Sequence, residues 1–319
     1  MEKLNIALTM GDPAGIGPEL IAKTLAAQQF ADRARFILYG SRAVFEDALR
    51  GVETAAEYDF CETADICPGS YNIGEASGAC GLAAYNSVKA AAQDCLSRKI
   101  DAMVTAPMNK YAVNLAGIPF TGHTELIAEV CGVEDYAMMQ SSGRLHIVFV
   151  TTHIALKDVS KCVTAERIKK VTHLLNEVLQ EENITLPRIA AAAVNPHAGE
   201  NGCMGLEDEE VVKPALAELK AAGLNVEGPF PPDTLFVPST LEKFDGVVSM
   251  YHDQGHIPFK MVAFNTGVNS TLGLPIIRTS PDHGTAFEIA GKNIADTGSF
   301  FAAVEVACIR AAYRKELCR

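Results

Sequence analysis

The chain has 319 residues and a formal net charge of −12. It is long enough for one large α/β unit or two domains, and its acidity argues against a nucleic-acid surface, which needs clustered Lys and Arg. No apolar stretch approaches the roughly 20 residues that span a bilayer, and Gly11-Asp12-Pro13 follows the first strand-length run where a signal peptide would continue, so a cytoplasmic protein with no membrane partner is expected.

Taken in chain order, Leu4 to Thr9 reads as a strand, Gly11 to Gly17 as a tight turn, and about Pro18 through Ala27 as a helix with proline in its first turn. Phe36-Ile37-Leu38-Tyr39 and Ala102-Met103-Val104-Thr105 are strand-like, with an Ala-rich helical stretch near Gly81 to Leu96 between them. This alternation predicts a parallel α/β sheet. A helix is expected over about Ala165 to Glu182, where Ile168, Val171, Leu174, Leu175 and Val178 form one apolar face, another over about Glu207 to Ala222, and a last one over about Gly298 to Lys315. The Pro-rich stretch from Gly228 to Asp233 is expected to be a rigid loop. Nine cysteines without a C-x-x-C pair suit free thiols in a reducing compartment.

Three further apolar runs end at or near a histidine: Ile147 to His153, Ile189 to His197 and Gly246 to His252. Short runs of this kind read as buried parallel strands, which would bring all three imidazoles out at the carboxyl edge of one sheet, where open α/β folds bind ligands. Three neutral imidazoles suit zinc, cobalt or manganese and leave coordination positions open for substrate; strand-end histidines also serve simply as hydrogen-bonding loop residues. Asp253 and Asp233 are candidates to orient a ligand imidazole, with a helix cap as the other reading of Asp253.

Several groups suit an anion. The glycine-rich turn after the first strand opens a helix and offers free backbone N–H groups, although it lacks both the Walker A and the Rossmann spacing. His123 follows Gly122 at an apparent helix start, with Thr124 as an ordinary N-cap the alternative. Lys260, Asn269 and Arg278 lie among apolar residues, where a phosphate or carboxylate would supply a partner; a surface lysine and an internal arginine pair are the plain alternatives.

The stretches Thr9 to Glu19, Thr105 to Lys110, Thr121 to Glu125, Asn195 to Glu200, Met250 to Gly255 and Gly267 to Gly291 resemble, over essentially the whole chain, the 4-hydroxythreonine-4-phosphate dehydrogenase family of pyridoxal phosphate biosynthesis and its sugar-acid relatives. Gly11 to Glu19 and His283-Gly284-Thr285-Ala286 are also similar to the wider isocitrate and isopropylmalate dehydrogenase superfamily. The resemblance implies two α/β/α domains flanking a cleft, approximately 1–120 with 265–319 carrying the cofactor loops and 121–264 carrying the metal and the dimer contacts, and a homodimer that completes each site. It places a divalent metal (Zn, Co, Mn or Mg) on His153, His197 and His252 with one ligand from the partner subunit, substrate on His123, Thr124, Lys260, Asn269 and Arg278, and NAD against His283, Gly284 and Thr285.

The reaction implied is NAD-dependent, metal-dependent oxidation and decarboxylation of a 4-phosphorylated 3-hydroxy acid, with Lys260 and Asp253 the candidate catalytic groups. Biosynthetic members use 4-phosphooxy-L-threonine; the sugar-acid relatives use 4-phospho-D-threonate or 4-phospho-D-erythronate and give dihydroxyacetone phosphate. His256 stands where leucine is expected in most biosynthetic members, and together with the Thr105 to Lys110 stretch this tilts the expectation slightly toward the sugar acids. A metal-dependent hydrolase or lyase without NAD and a non-catalytic phosphate-binding protein are the readings from other classes.

Overall fold

The computed structural model describes residues 3–317 and divides into two compact units, residues up to Tyr136 together with those from Leu274 onward, and Ala137–Gly273. In the first unit, strands β1 (Leu4–Thr9), β2 (Ala34–Gly40), β3 (Glu57–Glu62) and β4 (Ala102–Thr105) alternate with helices α1 (Gly17–Ala26), α2 (Arg42–Ala48) and α3 (Gly78–Leu96), followed by α4 (Lys110–Leu115) and α5 (His123–Cys131). The second unit runs β5 (Ala137–Ser142), β6 (Leu145–Phe149), α6 (Val159–Cys162), α7 (Ala165–Glu181), β7 (Ile189–Ala192), α8 (Lys213–Ala221), β8 (Val226–Phe230), α9 (Pro232–Leu235), α10 (Pro238–Leu241), β9 (Gly246–Ser249), α11 (His252–Ala263) and β10 (Val268–Leu272). Strand β11 (Arg278–Pro281) and helix α12 (Gly298–Leu317) complete the first unit.

The strands of the first unit lie in the order β3-β2-β1-β4-β11 with every neighbouring pair parallel. Central β4 is buried along its length, which is why its sequence reads as a continuous apolar run. Helix α3 turns small residues inward, and at Gly81 an added Cβ would stand 2.2 Å from the Ala112 carbonyl carbon, so only glycine lets α3 and α4 approach this closely.

In the second unit the order is β10-β5-β6-β9-β7-β8. The β10–β5 and β5–β6 pairs are antiparallel, and β6, β9, β7 and β8 run parallel. Ile168, Val171, Leu174, Leu175 and Val178 of α7 are buried, as their spacing predicts. Gly246 opens β9 directly beneath this helix, where a Cβ would come within 2.9 Å of Leu175.

Two expectations are corrected. The Pro-rich stretch is not a loop: Val226–Phe230 is strand β8 and Pro232 opens α9. As the outermost strand of its unit, β8 has one neighbour, so Pro229 costs it no central ladder bond. The helix expected from Glu207 begins instead with a π-helical turn over Asp208–Val212, and the α-helix proper starts at Lys213. Among the described residues no helix is long and apolar enough to cross a membrane, and eight cysteines are free.

Candidate active site

The first unit contributes a buried cationic pocket. Arg278 is the first residue of β11, and pairs in register with Met103 of β4. It is 3% exposed. Its Nε and Nη2 donate to Thr105 Oγ1 at 3.2 and 2.9 Å. Burial pulls its guanidinium down to about 10, with the Glu125 carboxylate opposing. His123 is the first helical residue of α5; its N-cap is Gly122, not Thr124, which lies one residue further into the first turn. That cap is tight, because Glu125 folds back until its Oε2 would lie 2.6 Å from a Cβ at 122.

His123 is held neutral. Burial first, then the charges of Arg278 and Lys110, push its pKa down to about 3 against a hydrogen bond with the Ala106 backbone. Its Nε2 is sealed from solvent without a hydrogen-bond partner. An orphan ring nitrogen near a desolvated guanidinium, at the positive end of a nine-residue helix, is suited to an oxygen of an anionic or hydroxylated ligand.

The predicted cofactor loop packs beside the N-terminal turn within the same unit. Ile16 N donates to Thr285 O at 3.1 Å, and a Cβ at Gly15 would lie 2.9 Å from that carbonyl. His283 is exposed with its Nδ1 3.1 Å from Gly284 O, and a Cβ at Gly284 would meet nothing within 4 Å. The loop thus presents an open surface on a fixed base. Within the turn, Asp12 is fully buried; its Oδ1 accepts from Ala14 N at 3.0 Å, its Oδ2 has no partner, and burial pushes its pKa up to about 6.

The second unit carries the three strand-end histidines. They follow β6, β7 and β9, which are parallel neighbours in the order β6-β9-β7, so all three leave the same carboxyl edge. His252 is the first residue of α11, and its Nδ1 lies 2.7 Å from Asp253 Oδ1. Tyr251 is the N-cap, so Asp253 engages the imidazole instead of capping. The rings of His153 and His252 are 5.6 Å apart.

His197 sits in a turn where it, Ala198 and Gly199 all have left-handed backbone angles, with φ of 53° at His197. Two imidazoles sharing one tetrahedral metal place their ring centres about 5 Å apart, so the donor chemistry and spacing of His153 and His252 fit a divalent ion. Among the described residues no three His, Cys, Asp or Glu side chains gather closely enough to hold one, so His197 does not join that pair within the single chain. Lys260 lies on α11 with its Nζ 5.4 Å from the Phe264 ring centre, and Asn269 lies on β10 opposite Gln140. Asp233 is exposed on α9 and makes no hydrogen bond to an imidazole among the described residues.

Residues that the sequence did not single out hold this edge together. Buried Asp208 accepts from Val194 N, Asn195 N and Asn195 Nδ2 at 2.8, 3.0 and 3.1 Å, fixing the entry to the His197 turn. Gln254 accepts from Met250 N at 2.7 Å and donates to Ala193 O at 2.7 Å, tying the end of β9 to the end of β7. Both are ordinary polar residues in sequence; a polar side chain early in a helix after a strand was the available signal.

The family model for the pyridoxal phosphate biosynthetic protein PdxA matches residues 27–307. A 4-hydroxythreonine-4-phosphate dehydrogenase of Desulforapulum autotrophicum is 42% identical, covering 96% of this chain and 95% of the relative. A D-threonate 4-phosphate dehydrogenase of Salmonella typhimurium is 40% identical over 96% and 99%. Among solved structures, a 4-hydroxythreonine-4-phosphate dehydrogenase of Klebsiella pneumoniae superposes with a TM-score of 0.85 at 39% identity, covering 98% of each chain. A beta-decarboxylating dehydrogenase of Thermococcus kodakarensis, 15% identical with a TM-score of 0.51 over 99% of this chain and 89% of its own, shares the fold alone. The chain belongs to the PdxA family and is a dehydrogenase of α/β fold.

Proposed function

We propose that the enzyme oxidises and decarboxylates a 4-phosphorylated 3-hydroxy acid with NAD and a divalent metal, and that its substrate is 4-phospho-D-threonate or 4-phospho-D-erythronate. The observation that carries the reading is the buried Arg278 guanidinium with Thr105 and the sealed Nε2 of a neutral His123. That is a desolvated anion pocket in an acidic protein. Relatives named for D-threonate 4-phosphate and for 4-hydroxythreonine-4-phosphate stand at 40% and 42% identity, so overall identity favours neither; His256 is the feature that tilts the choice toward the sugar acid.

In this reading Arg278, His123 and Thr124 hold one anionic end, and Lys260 and Asn269 are the second unit's substrate contacts. His153, His197 and His252 are the metal donors. One of the three would come from the partner subunit, consistent with His197 standing apart from the other two. The exposed Ile257, Met261, Val262 and Phe264 on and just after α11 would be covered in such a homodimer. His283, Gly284 and Thr285 would take the adenosine side of NAD. A bound divalent ion would polarise the C3 hydroxyl and the ketone made from it, and NAD would accept the hydride.

The hydroxyl proton leaves to a base, for which Lys260 is the candidate, and Asp253 keeps the His252 ring oriented. In the second step the C2–carboxylate bond breaks, its electron pair forms the C2–C3 enolate, and protonation at C2, again assigned to Lys260, gives the ketone. From a sugar acid that ketone is dihydroxyacetone phosphate.

The test is NADH formation with zinc, cobalt, manganese or magnesium on 4-phospho-D-threonate, 4-phospho-D-erythronate and 4-phosphooxy-L-threonine. Turnover of a sugar acid is expected. Preference for the amino substrate would assign the enzyme to pyridoxal phosphate biosynthesis instead, and turnover without nucleotide would replace the oxidation with metal-dependent hydrolysis or lyase chemistry.

A further inference from the structure

Beside His252 the structure places a second imidazole that the proposed reaction does not use. His256 lies one turn further along α11, on the same face as His252. Its ring lies against His252 at 4.1 Å and 30° and against Phe149 at 4.9 Å and 15°, and Phe149 lies 6.1 Å from the His252 ring at 30°. Phe149 is fully buried at the end of β6, the strand that leads to His153. Gly255 makes this stack possible. A Cβ there would stand 2.7 Å from the Phe149 ring and 2.8 Å from Ile147, so any other residue would lift α11 off the strand.

We infer that His256 is a positioning residue for His252: packed against both Phe149 and the His252 ring, it fixes the plane of that imidazole while Asp253 fixes its rotation at Nδ1, which leaves Nε2 as the atom offered to the metal. The inference rests on the metal reading above. Flat aromatic contacts on one side and a carboxylate on the edge restrict a ring's two soft torsions, and groups that orient a ligand commonly change metal affinity 10- to 100-fold. The role asked of His256 toward His252 is the flat face it lays against that ring, which another flat ring of similar size also offers.

The experiment measures metal affinity of the full-length protein by competition with a chromophoric chelator, together with the visible spectrum of the cobalt(II)-loaded protein, for wild type, His256→Leu, His256→Phe and His197→Ala. His256→Leu is expected to weaken metal binding about tenfold and to alter the cobalt bands. His256→Phe keeps the stack and is expected to stay within about threefold of wild type with its spectrum unchanged. Thermal unfolding of the metal-free proteins establishes that each variant folds, and His256→Phe keeps the inference testable if His256→Leu does not. Wild-type affinity and spectrum in His256→Leu would overturn the inference, as would a defect in His256→Phe equal to that of His256→Leu. A wild-type protein that binds no metal, or a His197→Ala protein that binds it normally, is a different result: it strikes the three-histidine reading itself.

Discussion

Arg278, in the first unit, is 3% exposed and the Nε2 of His123 is sealed, whereas in the second unit the His252 and Asp253 side chains keep 35% and 71% exposure. The pocket of Arg278 and His123 is desolvated without any ligand. Its electrostatics are therefore strong and already costly, since a buried guanidinium and an imidazole Nε2 sealed without a hydrogen-bond partner both oppose folding. The imidazole edge is wet, so position there depends on tethers to the backbone, Asp208 under the His197 turn and Gln254 between β9 and β7. Substitutions in the two regions should consequently fail in different ways.

The largest effect is expected from Arg278→Lys. Lysine keeps the charge but loses the planar fork that bonds Thr105 and, in the proposed function, would also reach a ligand oxygen. We expect kcat/KM to fall about 100- to 1,000-fold, roughly 3–4 kcal/mol of transition-state stabilisation, with little change in metal content. A loss smaller than tenfold in steady-state kinetics would mean that the pocket holds no reacting anion.

Asp208→Asn probes the opposite region. The amide has one acceptor where the carboxylate uses two, so a partly buried backbone N–H of Val194 or Asn195 is left unmatched. Urea denaturation should show about 2–3 kcal/mol less stability, accompanied by weaker metal retention as the His197 turn loosens. Unchanged metal retention in a folded variant would show that the strained turn holds itself.

These two residues also mark what could be read from sequence. Ala102–Thr105 is visible as a buried strand because all four side chains are enclosed, and α7 because its apolar face repeats at helical spacing. The carboxyl-edge placement of the histidines follows from such strands. By contrast β3, Glu57–Glu62, is an edge strand with few apolar residues, and β8 carries a proline that only its outer place in the sheet tolerates. Asp208 and Gln254 stand out little in sequence beyond being polar residues early in a helix, since partners that give them their importance, Asn195 and Ala193, lie 13 and 61 residues away in the chain.

A smaller effect follows from the suppressed imidazole. His123 has its folded pKa depressed to about 3, below the ordinary value of 6.5. The unfolded chain therefore takes up a proton first, and stability that is complete above 6.5 is lost as pH falls from there toward 3. At pH 4.5 the loss is about 3 kcal/mol, and His123→Gln should remove that share of the acid sensitivity. Substrate affinity of the wild type should show no inflection from His123 between pH 5 and 8; an inflection abolished by His123→Gln would mean that the pocket is wetter than the comparison requires.

The smallest effect tests whether the same dryness extends to the N-terminal turn. Asp12 has its folded pKa raised to about 6 from an ordinary 3.8, so the folded state favours the protonated acid. Stability from this group is present at low pH, falls as pH rises from 3.8 to about 6, and stays reduced above that. Asp12→Asn mimics the protonated form, with its oxygen keeping the Ala14 N–H bond. The ionisation penalty it removes is at most about 3 kcal/mol, but its NH2 inherits the position where Oδ2 has no partner, which costs part of that gain back. The net expectation is about 1 kcal/mol of stabilisation at pH 8, turning into about 1 kcal/mol of destabilisation by pH 4, in paired urea titrations. A difference that does not change with pH would show that Asp12 ionises without penalty, and would confine the desolvated chemistry of the first unit to Arg278 and His123.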